Sequence, residues 1–220
     1  MAAILFNLDK TLIDGRVMDV LALHYKFYYD LNRLRTNLRN GLLSHKGFVK
    51  SQIKLLKGKQ VKNIIEVIRN IPLMPNTKKV LNNLRNEGLK LGIIEGPDIV
   101  TNDFVEQLKL DYSVGHRVEI IEGRLTGKIR LLNDNGKFLE WKKESIKEIK
   151  TKTNHEIIAV GNDELDAPML KEADFGIAFN PAYKSKIKRA ADVVIKKKDM
   201  NMLLKTIDSY LNGEPHQSMV

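Results

Sequence analysis

The stretch LFNLDKTL places an amide, a carboxylate and a hydroxyl at two-residue intervals: Asn7, Asp9 and Thr11. Polar groups close two other apolar runs in the same manner. Glu95 and Gly96 follow Ile93 and Ile94, and Asn162, Asp163 and Asp166 follow Val160 in VGNDELDAPML. Oxygen donors of this kind can hold a hard divalent cation such as magnesium, which favours one or two carboxylates. They can also take a proton from water, a role open to Asp9, while Asp163 offers a metal ligand. Asn7 offers less than an aspartate would, because a neutral amide oxygen is a poor nucleophile and covalent catalysis needs an activated one. Asn7 and Asn162 each keep a carbonyl oxygen but contribute no charge.

The elements that must carry these groups are legible in the periodicity. Ala3 to Leu8 is a short apolar run, the signal of a buried strand. From about Arg16 to Ile71 apolar residues recur at helical spacing, with GLLSH at Gly41–His45 as a break, which predicts three or four helices and no strand. Asn76 or Thr77 is then expected to cap a helix that closes near Gly88, followed by a strand over Leu89–Ile94 and a helix ending near Leu110. Arg117–Ile121 and Arg124–Ile129 read as a small β-hairpin around Glu122-Gly123. Beyond it the pattern predicts a helix from about Lys137 to Lys150, a strand over Glu156–Val160, and a helix around Ala167–Ala173. A strand at Gly176–Phe179, a helix to Ala190, a strand at Val193–Ile195 and a helix over Asp199–Leu211 complete the chain. Strands alternating with helices mean an α/β fold with a doubly wound, mostly parallel sheet in three layers, whose sites lie beyond the carboxyl ends of the strands. Residues 1–15 and 73–220 are expected to form this core, and 16–72 an inserted all-helical cap.

Composition narrows the setting. A chain of 220 residues with 43% hydrophobic content can bury a core of ordinary size. No uncharged apolar run approaches the ~18 residues of a membrane span. The N-terminus lacks a basic leader and reads as a strand, not a signal peptide. With no cysteine there is neither a disulfide nor a thiolate metal site, which fits a cytoplasmic setting. The net charge of +10 comes with lysine clusters at Lys184–Arg189, Lys196–Lys198 and Lys142–Lys152. These are either solvated helix faces or a surface for nucleic acid or another polyanion; no aromatic-interleaved recognition motif accompanies them.

FNLDKTL, IIEG and VGNDELDAPML, in that order on successive strand ends, resemble the signature stretches of the haloacid dehalogenase superfamily. HRVEIIEGRLTGKI, FGIAFNP and the helical insertion resemble its phosphoserine phosphatase-like branch. The resemblance spans Ile4 to about Leu211. It implies phosphoryl transfer to an aspartate, with magnesium between carboxylates, acting on a small phosphorylated molecule. Carried over by position, the nucleophile falls on Asn7, the acid/base on Asp9, and Thr11 matches. The phosphate-binding hydroxyl falls on Glu95, beside Gly96. The phosphate-neutralising lysine falls on Lys142, with Lys137 and Lys143 as alternatives. The metal-binding aspartate falls on Asn162; Asp166 is kept, and its partner asparagine is Leu165. Cap residues that close on phosphoserine fall on Arg16, His45 and Gln52.

These departures imply a degenerate phosphatase scaffold, kept as a binding or regulatory module. Changes at 7, 16, 45, 52, 95, 162 and 165 together exceed what one arresting substitution would bring. The alternatives are an active magnesium-dependent phosphomonoesterase on a substrate other than phosphoserine, and a polyanion- or RNA-binding protein. If Lys142 keeps its position, Glu95 is expected to pair with it inside the old phosphate site; otherwise Glu95 turns out to solvent.

Overall fold

The computed structural model describes residues 2–134, 138–182 and 185–214. Strands β1 (Ala2–Phe6) and β6 (Phe175–Phe179) are buried along their whole length, and β5 (Glu156–Gly161) at all but its first residue. Runs that are apolar on both faces suit strands covered by helices on either side. With β2 (Lys90–Pro97), β3 (Tyr112–Ile121), β4 (Arg124–Arg130) and β7 (Val193–Ile195) they form one seven-stranded sheet in the order β4-β3-β2-β1-β5-β6-β7. Every neighbouring pair is parallel except β3–β4. The fold is therefore a doubly wound α/β sheet, as the alternation predicts.

Four helices, α1 (Val17–His24), α2 (Tyr28–Arg39), α3 (His45–Leu55) and α4 (Val61–Arg69), lie between β1 and α5 (Thr77–Asn86). Ser44 caps α3, its hydroxyl accepting from the Gly47 amide at 3.1 Å. Ile64 and Ile68 of α4, one turn apart, are fully buried in the same apolar cluster as Leu8 and Phe104. Two of the attachments of these helices to the rest involve α4 and the turn before it. Arg69 donates twice to Asp103 of α6 (Asp98–Leu108), at 2.6 and 2.9 Å. The α3–α4 turn is hydrogen-bonded to the β3–β4 turn through Gly58 to Leu125, Leu125 to Lys59 and Val61 to Gly123. On the opposite face of the sheet, α7 (Trp141–Thr153) and α8 (Ala167–Glu172) bury Trp141, Ile146, Met169 and Leu170.

The structure corrects several elements. The hairpin is present as expected, but β3 begins earlier, at Tyr112, and adds in parallel to β2 before turning back, so the hairpin is also the edge of the main sheet. Neither Asn76 nor Thr77 caps α5 with its side chain. Asn76 is left-handed at φ 69°, and the Thr77 hydroxyl donates to Leu12 O, so docking onto the loop after β1 sets this start. Regular helix begins at Trp141, after a tight turn at Phe138–Glu140, and Lys137 lies outside the described residues. The helix expected to end at Ala190 is one turn at Lys186–Arg189, from which only Ile187 is buried, too short an apolar stripe for a packed helix. Lys184 lies outside the described residues. The last helix, α9 (Met200–Leu211), starts on Asp199, whose carboxylate accepts from Asn201 N and Met202 N.

Candidate functional site

The ends of β1, β2 and β5 meet α1, α3 and α7 around one cavity of about 190 Å³. Its floor is set by local backbone needs. β2 loses regular register with β3 between Ile94 and Pro97, and such an irregularity re-aims side chains. Glu95 and Gly96 sit there, against Gly115 of β3, where a Cβ would meet Gly96 O at 2.8 Å. At the end of β5, Gly161 leaves the space that Asp166 occupies; a Cβ would stand 2.5 Å from the Asp166 Cβ. Asp166 then accepts at one oxygen from the amides of Asn162 and Asp163, at 2.8 and 3.1 Å. Its other oxygen accepts from Lys142 at 2.6 Å.

Lys142, 3% exposed, is the centre of the floor. It donates to Asp166 and, at 3.2 Å, to Asn7 Oδ1, and its ammonium lies 3.6 Å from the Glu95 carboxylate. Burial works against its charge, but Asp166 and Glu95 outweigh it and hold the ammonium above its ordinary pKa. The expected Glu95–Lys142 approach is thus present, while the other Glu95 oxygen accepts from Gly96 N at 2.8 Å. Asn7 is buried behind Lys142, its amide nitrogen donating to Asp9 O at 2.9 Å. Asp9 accepts from Val17 N; burial and then Glu95 push its carboxyl up to about 7. Burial and Asp166 push Asp163 up to about 6, against the charge of Lys142; Arg16 stands 3.7 Å away.

Of the residues singled out in the sequence, Asp9, Arg16, His45, Gln52, Glu95, Gly96, Lys142, Asp163, Leu165 and Asp166 all line this cavity. Three do not. Asn7 lies beneath it, and Thr11 is fully buried, its hydroxyl without a hydrogen-bond partner among the described residues. Asn162 turns its amide nitrogen to Phe179 O and Asn180 O at 2.9 and 2.8 Å, a pairing that a carboxylate could not make. Lys143, half-buried on α7, does not line the cavity, which leaves Lys142 as the lysine in place.

Among the described residues, no group of three or more acidic or histidine side chains converges to hold a metal. Both Asp166 oxygens already accept from protein donors, and Asn7 Oδ1 accepts from Lys142. This donor set does not fit a magnesium ion.

The roof is apolar. Val17, Leu21, Phe48, Ile53, Leu56 and Ile64 face the cavity from α1, α3 and α4, and Phe138, Trp141 and His116 close its side. His116 rings stand 5.5 Å from Phe138 and 4.4 Å from Trp141, and His116 Nδ1 accepts from Leu132 N at 3.1 Å. Burial, then the charge of Lys142, lowers its pKa to about 4, so it is neutral. This aromatic wall was not singled out from the sequence; apolar periodicity marks burial without saying what is buried against what.

Several lysines of the basic clusters are paired with acids. Along α7, Lys147 pairs with Glu144, Lys152 with Glu148 and Lys150 with Asp174. Lys198 pairs with Asp14 at 2.5 Å. Among the described residues no helix is long and apolar enough to cross a membrane.

Comparison with known proteins gives one consistent picture. The family model for haloacid dehalogenase-like hydrolases matches residues 4–171, and a second of the same description matches 141–207. The chain is 29% identical to the phosphoserine phosphatase of Archaeoglobus fulgidus over 203 residues, which is 90% of this chain but 57% of that protein. It is 28% identical to the phosphoserine phosphatase of Methanocaldococcus jannaschii over 209 residues, 93% of this chain and 96% of the relative. A structure described as a substrate-bound phosphoserine phosphatase complex superposes with a TM-score of 0.80 at 26% identity, covering 93% and 97% of the two chains. A phospho-aspartyl intermediate analogue of phosphoserine phosphatase gives 0.79 at 25% identity, with the same coverage.

Proposed function

The chain belongs to the haloacid dehalogenase-like hydrolases, in their phosphoserine phosphatase-like branch, and from that premise we propose that it is a binding member whose phosphoryl transfer is lost or strongly attenuated. One observation carries the proposal. Where the family resemblance places an attacking aspartate, Asn7 offers an amide fixed at both ends, its nitrogen on Asp9 O and its oxygen on Lys142. It has no anionic oxygen to attack phosphorus.

The surroundings support this reading. Lys142, which the resemblance assigns to phosphate charge, is already engaged by Asp166 and Glu95. Glu95 stands where a hydroxyl would donate, and like charges about 4 Å apart repel by roughly 4 kcal/mol at an effective dielectric of 20. Magnesium, which the resemblance implies, finds no fitting donor set, so no step is placed on it. In this reading residues 16–72 act as the cap over a core of 1–15 and 73–220, and Arg16, His45 and Gln52 are the cap's polar contacts with whatever the cavity holds.

The test is turnover of phosphoserine and of p-nitrophenyl phosphate by the unmodified chain, with and without magnesium. No release of phosphate above background is expected. Robust magnesium-dependent turnover would overturn the proposal and promote Asp9, with its carboxyl near 7, to a base toward water.

A further inference from the structure

A phosphate site that supplies its own counter-charge explains the floor of the cavity but leaves its volume and its acid excess without a role. Three cations line the space, and each has an acid close by: Arg16 with Asp163 at 3.7 Å, Arg35 with Asp19 at 2.5 Å, and Lys142 with Asp166 at 2.6 Å. Two further carboxylates remain. Glu95 shares Lys142 at the longer distance of 3.6 Å, and Asp9 accepts from a backbone amide, Val17 N. At about pH 8, where Asp9 is mostly ionised, the cavity is lined by four carboxylates, Asp9, Glu95, Asp163 and Asp166, against the three cations. It would repel phosphate and attract a cation.

The rest of the wall says what kind of cation. A bare metal ion needs converging oxygen donors, which the described residues do not provide. The wall is instead apolar and aromatic, with Phe48, Phe138 and Trp141 among its members, and such rings pack favourably against another aromatic ring. A space of about 190 Å³ exceeds the ~150 Å³ apolar cavity that takes benzene. It therefore holds one aromatic ring and a short arm.

Building on the proposed loss of phosphoryl transfer, we propose that this cavity binds a small arylalkyl ammonium, with its ring between Phe48, Phe138 and Trp141 and its ammonium between Asp9 and Glu95. The ligand supplies the positive charge that the floor lacks, and its ring removes apolar surface from water. Glu95, which excludes phosphate from this site, is the group that selects the amine.

Trp141 is the only tryptophan of the chain and lines the cavity, so its fluorescence reports occupancy directly. The full chain at about pH 8, where carboxylates and alkyl ammonium are both charged, is titrated with phenethylamine, with hydrocinnamate as its anionic counterpart, and with ethylamine, which lacks the ring. Binding is confirmed by calorimetry. Phenethylamine is expected to bind at least about tenfold more tightly than either control, a difference of about 1.4 kcal/mol. Glu95→Gln, which keeps the shape of a partly exposed side chain, is expected to remove about tenfold of the amine affinity while leaving hydrocinnamate no weaker. Hydrocinnamate binding as tightly as phenethylamine overturns the proposal in the unmodified chain, and so does absence of amine binding up to about 10 mM. Unchanged amine affinity in a folded Glu95→Gln chain overturns it as well. The phosphatase assay on the same preparation separates the two readings. Indifference to amines without turnover sinks this inference alone, whereas turnover sinks the retired phosphatase whether or not amines bind.

Discussion

The floor and the roof of the cavity are built from opposite materials. In the floor, Lys142 answers Asp166, Glu95 and Asn7, and Arg16 stands near Asp163; each cation is met by a carboxylate across β1, β2, β5 and α7. In the roof, α1, α3 and α4 present mainly aliphatic and aromatic side chains, which bond to nothing in particular. The contrast teaches where each kind of function can persist. A floor whose cations are all met by its own carboxylates has lost its demand for an anion, while an apolar roof still gains by covering a ligand. Buried ion networks are costly to break at one member, so a floor of this kind is retained for stability even where its chemistry has gone.

The contrast can be broken most strongly at Lys142. Lys142→Ala leaves Asp166, 1% exposed, without its cation, and is expected to cost about 3–5 kcal/mol of unfolding free energy, read from the urea midpoint. A loss below about 1 kcal/mol would mean that the floor is not a mutually dependent network.

Acid attacks the junction of floor and roof at His116. Its pKa is about 4 in the fold against about 6.5 unfolded, so the unfolded chain takes up the proton first. The stabilisation is fully present above about pH 6.5 and disappears as the pH falls toward 4, by about 3 kcal/mol. Asp9 and Asp163, whose pKa values are raised, favour the fold at low pH and oppose this trend. The quantity to measure is therefore the difference between the unmodified chain and His116→Gln across that window; parallel pH curves would refute the assignment.

Glu95→Ser sharpens the contrast by freeing Lys142. Phosphate affinity, followed by calorimetry, is expected to rise about tenfold without catalysis. An unchanged value would show that Glu95 does not exclude the anion. The smallest effect belongs to Asn7→Asp. Members of one catalytic unit fail together, so this single restoration is expected to leave phosphatase turnover at background. Turnover restored by that change alone would place the whole defect on Asn7.

How much of this was legible in the sequence differs between the two regions. The floor was readable, because strand-end residues are fixed by the period of the strands: Asp9, Glu95, Asp163 and Asp166 converge as the parallel alternation requires, and Glu95 approaches Lys142 as charge compensation requires. Even there, Asn162 escaped. Nothing local shows that its amide would find the two carbonyls ending β6. The roof was readable only as helices. Its lining depends on how α1, α3 and α4 pack on the sheet, a non-local matter that periodicity does not encode. The same holds for β3, whose first residues join β2 in parallel although the sequence shows only the tight turn with β4.

The seam between the α3–α4 turn and the β3–β4 turn has a consequence for the order of folding. Arg124 reaches back to Gly58 O across 66 residues of sequence, and Gly58, Lys59 and Val61 pair with Leu125 and Gly123. The individual helices form from local contacts, but this seam must wait for the sheet edge, and closing so long a loop costs entropy before any contact rewards it. The roof is thus expected to be fastened late. A partly folded chain with its seam unmade exposes the aliphatic lining of α3 and α4 to other chains, which makes the β3–β4 turn a guard against aggregation.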